Sequence, residues 1–185
     1  MKKLILLFVV CSMTFMVHGQ SILYGPKAGV NISNLVGDDA EGFSSRTSFN
    51  VGAVVSIYIA DFFRLQPEIV YSTQGFDEGA SGTLTDGKMD YINVPVLADY
   101  EFAPGLTVQA GPQIGFNLTA EADSGGMTSD LEVDSVDFGA AVGLQYRMET
   151  GLFFQGRYNL GLKDINSMDK IKNSVLSFSL GYLFN

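Results

Sequence analysis

Eight segments of the chain alternate strictly between apolar and polar residues, and this pattern constrains the fold more than any other feature of the sequence. Residues two apart point to the same side of a β-strand, so each segment is predicted to form a strand with one apolar and one polar face. No stretch shows helical spacing of apolar residues over a comparable length. The predicted strands lie at residues 22–33, 49–59, 63–74, 92–102, 106–118, 136–147, 152–162 and 176–184.

The two faces of these predicted strands differ in charge, and this difference indicates the solvent that each face meets. No charged residue lies on the apolar face, which is rich in Phe, Tyr, Leu and Val. A water-soluble barrel such as a lipocalin would instead carry its charges on the outer face. The apolar face is therefore predicted to contact lipid. The polar face is rich in Gly, Ser and Asn and carries eight charged residues, namely Lys27, Arg64, Glu68, Asp99, Glu101, Asp137, Arg147 and Arg157.

Connections between the predicted strands alternate in length. Short connections lie at about 61, 104 and 149–151. Long ones lie at about 35–47, 75–88, 120–135 and 163–172. Short periplasmic turns and long outer loops are typical of outer-membrane barrels, and each segment meets the roughly 9 to 11 residues that a tilted strand needs to cross a bilayer. An open sheet edge would leave backbone groups unpaired in hydrocarbon. We therefore predict an all-β fold, an eight-stranded antiparallel transmembrane up-and-down β-barrel.

Aromatic residues gather on the apolar face near the short connections. At that depth their rings would lie among the lipid headgroups, where aromatic residues form a girdle around outer-membrane barrels. The general preference of aromatic residues for strands is the alternative explanation for any one of them. The predicted girdle comprises Tyr24, Phe62, Phe63, Tyr100, Phe102, Tyr146, Phe154, Tyr182 and Phe184.

The N-terminus is predicted to be a secretory signal peptide over residues 1–19, which leaves residues 20–185 as one outer-membrane β-barrel domain. Lys2 and Lys3 precede an apolar run over residues 4–17, and the small Gly19 provides a cleavage point. The run is shorter than the roughly 20 residues that a spanning helix needs, so a membrane anchor is disfavoured. Lipidation of Cys11 is also disfavoured, because valines rather than small residues precede it.

Cleavage would remove Cys11 and His18, which are the only cysteine and the only histidine of the chain. The mature protein would then have no disulfide, thiol nucleophile or imidazole. Outer-membrane barrels that act as proteases, phospholipases or lipid A acylases and deacylases rely on histidine for proton transfer. A carboxylate mechanism at Asp99 and Glu101 is the alternative, but acids on one strand face more often pair with interior arginines. We therefore predict a non-enzymatic protein without a cofactor or metal.

The mature chain is strongly acidic, with 9 basic and 20 acidic residues after removal of Lys2 and Lys3, a net charge of −11. Nucleic acid is a disfavoured partner, because binding it requires basic patches. A Ca²⁺ site in the densest acidic stretch is one interpretation, but its spacing matches no calcium-binding loop and a solvated loop is favoured. That stretch contains Glu121, Asp123, Asp130, Glu132 and Asp134.

The polar face carries four bases and four acids, and this balance predicts a paired interior. Leaving an ion unpaired in a narrow lumen costs several kcal/mol. We predict that the eight charged residues form a lumen ion-pair network that plugs the barrel. A binding pocket or a narrow pore lined by the same residues is the competing interpretation. The predicted hydrogen-bonding partners of the network are Gln66, Gln109, Gln113 and Gln155.

Three segments resemble a known family of proteins. They are LQPEIVYSTQG at 65–75, INVPVLADYEF at 92–102 and the C-terminal SLGYLFN. These segments and the eight alternating strands resemble the small outer-membrane β-barrel family of Bacteroidota, often described as PorT-like, over the whole mature chain. In such proteins a C-terminal aromatic residue is commonly part of the signal for barrel assembly. Here Phe184 is followed by Asn185.

The resemblance implies residence in the outer membrane, contact with its lipid and lipopolysaccharide, and insertion by the barrel-assembly machinery. It leaves the molecular role open. A structural role, or recognition through acidic outer loops, is the leading hypothesis. The alternatives are an accessory subunit of a secretion or envelope-assembly system, with an envelope protein as partner, and a narrow channel or transporter.

Signal peptidase should cleave the precursor between Gly19 and Gln20, because Val17 and Gly19 are acceptable residues at the recognition positions. Mass spectrometry of the protein purified from membranes should give a chain that begins at Gln20. A mature protein that retains Met1 would contradict the secretory interpretation.

Overall fold

The computed structural model describes residues 21–36, 43–78, 85–124, 127–130, 134–162 and 172–184, so the predicted signal peptide lies outside the described residues. These ranges contain β-strands and no helix long and apolar enough to cross a membrane. The strands are β1 (Ile22–Val36), β2 (Phe43–Ala60), β3 (Phe63–Glu78), β4 (Thr85–Ala103), β5 (Leu106–Ser124), β6 (Met127–Asp130), β7 (Val136–Arg147), β8 (Leu152–Gly161) and β9 (Lys172–Tyr182).

All of these strands except the short β6 close into an eight-stranded antiparallel barrel, which confirms the predicted fold class. Around the barrel the order is β1, β2, β3, β4, β5, β7, β8 and β9. β9 then pairs with β1 in a ladder that runs from Lys27 opposite Gly181 to Val36 opposite Lys172. Closure gives both sides of every barrel strand a backbone partner, as hydrocarbon requires.

Three tight turns join β2 to β3, β4 to β5 and β7 to β8, at the positions predicted for short connections. Gly105 and Gly151 lie in two of these turns with φ angles of 73° and 94°. A side chain with a Cβ atom is strained in that region, so glycine allows the chain to reverse within so few residues. The turns lie together at one end of the barrel, called here the short-turn end. The opposite end is the long-loop end.

At the long-loop end the strands are longer and the connections shorter than the sequence predicted. β3 continues to Glu78 and β4 begins at Thr85, where a connection over 75–88 was predicted. β6 lies within the predicted connection 120–135 and pairs with the end of β5. Thr73, Met89, Tyr91 and Ala120 are buried in these extensions, so the ladder continues there without the apolar-outward alternation that marked the predicted strands. The ends of β2 to β5 thus form a tall wall over residues 43–48, 73–78, 85–91 and 119–124.

The outward face is apolar and the inward face is largely polar, as predicted. Phe138, Val142 and Leu144 on β7 are each about half exposed, whereas the inward Ala141 and Gln145 of the same strand are buried. All nine aromatic residues of the predicted girdle are exposed. At the meeting point of the chain ends, the ring of Phe184 lies 4.8 Å from that of Tyr182.

Several inward positions carry apolar residues that the alternation did not single out. Val54, Phe153 and Leu183 form a buried cluster with Leu23 packed against it. Leu183 also donates its backbone N–H to Gly151 of the β7–β8 turn, which places the cluster near the short-turn end. The lumen is therefore partly filled by hydrocarbon at that end.

The loss of stability caused by a charge on the outward face should depend on the depth of that residue in the membrane. Val142 lies outward in the middle of β7, whereas Met148 is exposed just after the end of the same strand, at the short-turn end. We expect Val142→Arg to lower the free energy of unfolding in lipid by roughly 2–4 kcal/mol, and Met148→Arg by about 0–1 kcal/mol. Urea titration of both variants in vesicles tests this. Equal losses would contradict the placement of Val142 in the apolar band.

Candidate functional site in the barrel lumen

Three charged residues from β1, β3 and β8 meet in the centre of the lumen and are called here the ion triad. Glu68 Oε2 lies 2.8 Å from Lys27 Nζ. Arg157 donates from Nη2 to Glu68 Oε1 at 2.6 Å and from Nη1 to Oε2 at 2.8 Å. Such a two-pronged pairing fixes the geometry of both groups as well as neutralising them. All three side chains are at most 3% exposed, so the triad is shielded from bulk water.

Small cross-strand neighbours make room for the two long cationic side chains of the triad. Lys27 is paired with Gly52 on β2 and with Gly181 on β9. Arg157 is paired with Gly143 on β7 and Ser177 on β9. A narrow barrel is filled by alternating large and small inward residues. The glycines of the polar face, which the sequence showed without a specific role, therefore flank the two longest inward side chains of the triad.

A second charged cluster lies closer to the short-turn end, around Arg64. Its guanidinium donates from Nε and Nη2 to Asp99 Oδ1 at 3.1 and 3.0 Å. Nη1 lies 3.0 Å from Glu101 Oε2. The other Glu101 oxygen accepts the backbone N–H of Gly105 at 3.1 Å, so this carboxylate also holds the β4–β5 turn. Both acids considered for a carboxylate mechanism are thus engaged by one arginine.

Glutamine side chains connect the Arg64 cluster to the ion triad. Gln109 Nε2 donates to Asp99 Oδ2 at 2.7 Å, and Gln109 Oε1 accepts from Gln155 Nε2 at 2.8 Å. Gln155 Oε1 in turn accepts from Lys27 at 2.9 Å. Gln145, which the sequence analysis did not assign to the network, accepts from Gln66, Gln109 and Gln155 at 3.2–3.3 Å. The alternation along β7 places Gln145 on the inward face, and this position could have identified it as a member of the network.

The sequence analysis grouped Arg147 and Asp137 with the other six charges, but in the structure Arg147 meets a tyrosine. They lie at opposite ends of β7. Arg147 donates to the hydroxyl of Tyr58, and its guanidinium lies 5.6 Å from the centre of that ring. The same hydroxyl accepts from Arg64 Nη1 at 3.2 Å. Tyr58 was not predicted as a site residue, but its inward register on β2 would have identified it.

Asp137 and Gln113 lie toward the long-loop end, beside small cavities in the lumen. Both line a cavity of about 20 Å³, and Gln113 also lines a second cavity of similar size beside Arg157. Gln113 was expected among the partners of the ion pairs, but it borders these cavities instead. At the short-turn end a wider hollow of about 810 Å³ is lined by Arg147, Tyr58 and Leu183, among others.

The described residues contain no group of three or more His, Cys, Asp or Glu side chains that could hold a metal ion. The side chain of Asp130 and the whole of Glu132, in the acidic stretch considered for Ca²⁺, lie outside the description. Within the described lumen, the acids Glu68, Asp99 and Glu101 have cationic partners. The arrangement is suited to neutralising buried charge and linking strands across the lumen.

The triad contains two cations and one anion, so its members should not contribute equally to stability. Glu68→Gln leaves Lys27 and Arg157 buried beside each other without an anion, and we expect a loss of roughly 3–5 kcal/mol in the free energy of unfolding. Lys27→Met retains the Arg157–Glu68 pair and should lose less. Glu149→Gln in an exposed turn is the control, with a change within about 0.5 kcal/mol. Denaturant titration would contradict this role if Glu68→Gln unfolded like the control.

Three solved structures of outer-membrane proteins are similar to this barrel. Neisserial surface protein A aligns with a TM-score of 0.64 at 18% sequence identity, over 90% of this chain and 100% of that protein. Ail of Yersinia pestis aligns with a TM-score of 0.56 at 16% identity, over 88% of this chain and 98% of Ail. OprG of Pseudomonas aeruginosa gives 0.52 at 15% identity, over 90% and 96%. At these identities the likeness shows the fold alone.

None of the curated proteins matches the chain. The family model described as "Outer membrane protein beta-barrel domain" matches residues 18–167, which is most of the chain. This match, the closed barrel and its apolar outward face confirm the predicted location in the outer membrane. The chain therefore belongs to the outer membrane protein beta-barrel domain family.

Proposed function

We propose that this protein is a non-enzymatic outer-membrane barrel with a plugged lumen, which acts through its long-loop end in a structural or recognition role. The observation that carries the proposal is the ion triad. Side chains from β1, β3 and β8 meet there at 2.6–2.8 Å, in the space that a pore would need. An eight-stranded barrel has an interior just wide enough for side chains to fill, so one such contact closes its cross-section.

The engagement of the interior acids supports a non-enzymatic role. A general base must be able to reach a substrate, with a pKa suited to proton transfer. Asp99 is fully buried and accepts hydrogen bonds from Arg64, Thr107 and Gln109. Glu101 is held by Arg64 and by the β4–β5 turn. Asp99 is therefore closed to a substrate, and the predicted mature chain contains no histidine.

The tall wall supports recognition at the long-loop end. Hydrogen-bonded strands carry polar residues beyond the apolar band there, including the ion pair between Lys88 and Asp90 at 3.2 Å. Ail has been solved in complex with the heparin analogue sucrose octasulfate, a polyanion. The net charge of −11 predicted for the mature chain here opposes a polyanion and favours a partner with basic groups.

An accessory role in secretion or envelope assembly, as the PorT-like resemblance implies, is the second candidate function. The observation that favours it is the hollow of about 810 Å³ at the short-turn end, which faces the periplasm in the usual orientation of such barrels. It combines the polar groups of Tyr58 and Arg147 with the apolar Leu23 and Leu183, a mixture that suits a protein segment. Affinity purification from detergent extract would favour this role if a stoichiometric envelope partner were recovered.

The plugged lumen should prevent ion flow. In planar bilayers we expect the wild-type protein to show no steady conductance, alongside a large porin as positive control. The triple variant Lys27→Ala, Glu68→Ala, Arg157→Ala removes the triad without leaving an unpaired charge in it, and should conduct more than the wild type if it inserts. Stable open channels in the wild type would contradict the plugged lumen and favour a narrow channel or transporter.

A further inference from the structure

Two small cavities lie next to each other in the half of the lumen between the ion triad and the long-loop end. Each has a volume of about 20 Å³. The first borders Arg157 of the triad, and the second borders Asn173 near the start of β9. Asn93, Gln113 and Asn159 line both cavities and form the wall between them. The pair therefore leads from the triad toward the long-loop end.

Three buried polar atoms beside these cavities have no hydrogen-bond partner among the described residues. They are Arg157 Nε, Asn159 Oδ1 and Asn173 Oδ1. Arg157 is 3% exposed, and its two terminal nitrogens are engaged by Glu68 while Nε is left over. Unpaired polar atoms in a protein interior are rare, because burying them without a partner is unfavourable. Each of these residues lines at least one of the two cavities, so the missing partner belongs inside them.

We propose that the two cavities are binding sites for ordered water, and that these waters complete the hydrogen bonding of the lumen. A cavity holds one water molecule once about 10–15 Å³ is open to it and two or more polar groups line it. Both cavities exceed that volume and both are polar. The first water accepts from Arg157 Nε and donates to Asn159 Oδ1. The second donates to Asn159 Oδ1 and Asn173 Oδ1.

The hydrogen-bonding groups that line the two cavities determine which kind of ligand fits there. A cation in the first cavity would lie beside the guanidinium of Arg157 and could not accept its N–H. An anion would accept that N–H but would face the amide oxygen of Asn159 and, in the second cavity, the carboxylate of Asp137. Water both donates and accepts, so it alone satisfies Arg157 Nε and Asn159 Oδ1 together.

The Nε atoms of Arg64 and Arg157 then have different partners. Toward the short-turn end Arg64 Nε donates directly to Asp99, and the cluster of Val54, Phe153 and Leu183 fills the interior with hydrocarbon. This inference concerns what fills the lumen and does not depend on the role proposed for the long-loop end.

The test compares the two arginines by nuclear magnetic resonance in lipid nanodiscs. We expect the Nε–H of Arg157 to show cross-peaks to water in NOE and ROE spectra, and the Nε–H of Arg64, which is bonded to Asp99, to show none. No cross-peak at Arg157, or equal cross-peaks at both arginines, would overturn the proposal. Conductance measurements address the plug separately, so its failure can be distinguished from failure of the water sites.

One variant and one ion probe test the proposal further. Asn159→Leu removes the acceptor shared by both waters and should abolish the cross-peak at Arg157, while persistence of that peak in the folded variant would overturn the assignment. In crystals of the wild type soaked in rubidium bromide, we expect no anomalous peak in either cavity. A rubidium or bromide peak there would show an ion site and overturn the water sites. If Asn159→Leu does not fold, the two wild-type experiments still decide.

Discussion

The requirement that every backbone N–H and C=O find a partner in hydrocarbon governs this structure. The β1–β9 ladder meets it by joining the last strand to the first, so the sheet has no edge within the membrane. Closure with eight strands then fixes a narrow interior, which side chains must occupy. The narrowness of the lumen is thus a consequence of closing a small sheet, and the side chains inside decide whether the barrel is solid or open.

Within that interior, the same set of side chains pairs the buried charges and fills the available volume. Lys27, Glu68 and Arg157 come from three separate strands, and the triad therefore links parts of the wall that share no ladder. The glycines opposite Lys27 provide the space, and the glutamines pass hydrogen bonds from one charged cluster to the next. Removing one partner from such a network leaves the others buried without solvation, so the network acts as a unit.

The fold could be predicted from the sequence because a membrane imposes a period of two on every spanning strand. The same rule identified Arg64, Glu68 and Asp99 as inward. It could not give their partners, since neighbours across the lumen depend on register and strand tilt, which alternation does not encode. Arg147 shows this limit, because it meets Tyr58 rather than an acid. The strand ends at 43–48 and 119–124 were missed for a different reason, because the β2–β3 and β4–β5 ladders shift register there and the apolar-outward alternation does not continue past the shift.

The order of the tall wall would affect the free energy of binding to a partner. A flexible loop must lose conformational freedom when a partner fixes it, and that entropic penalty weakens the complex. The ends of β2 to β5 are already ordered by their ladders, for example Gly75 opposite Lys88 and Asp90 opposite Thr119. A surface carried on this rigid support is preorganised, and it stands to one side of the barrel axis. Docking of a macromolecule on this surface would therefore carry a smaller entropic penalty than docking on a flexible loop.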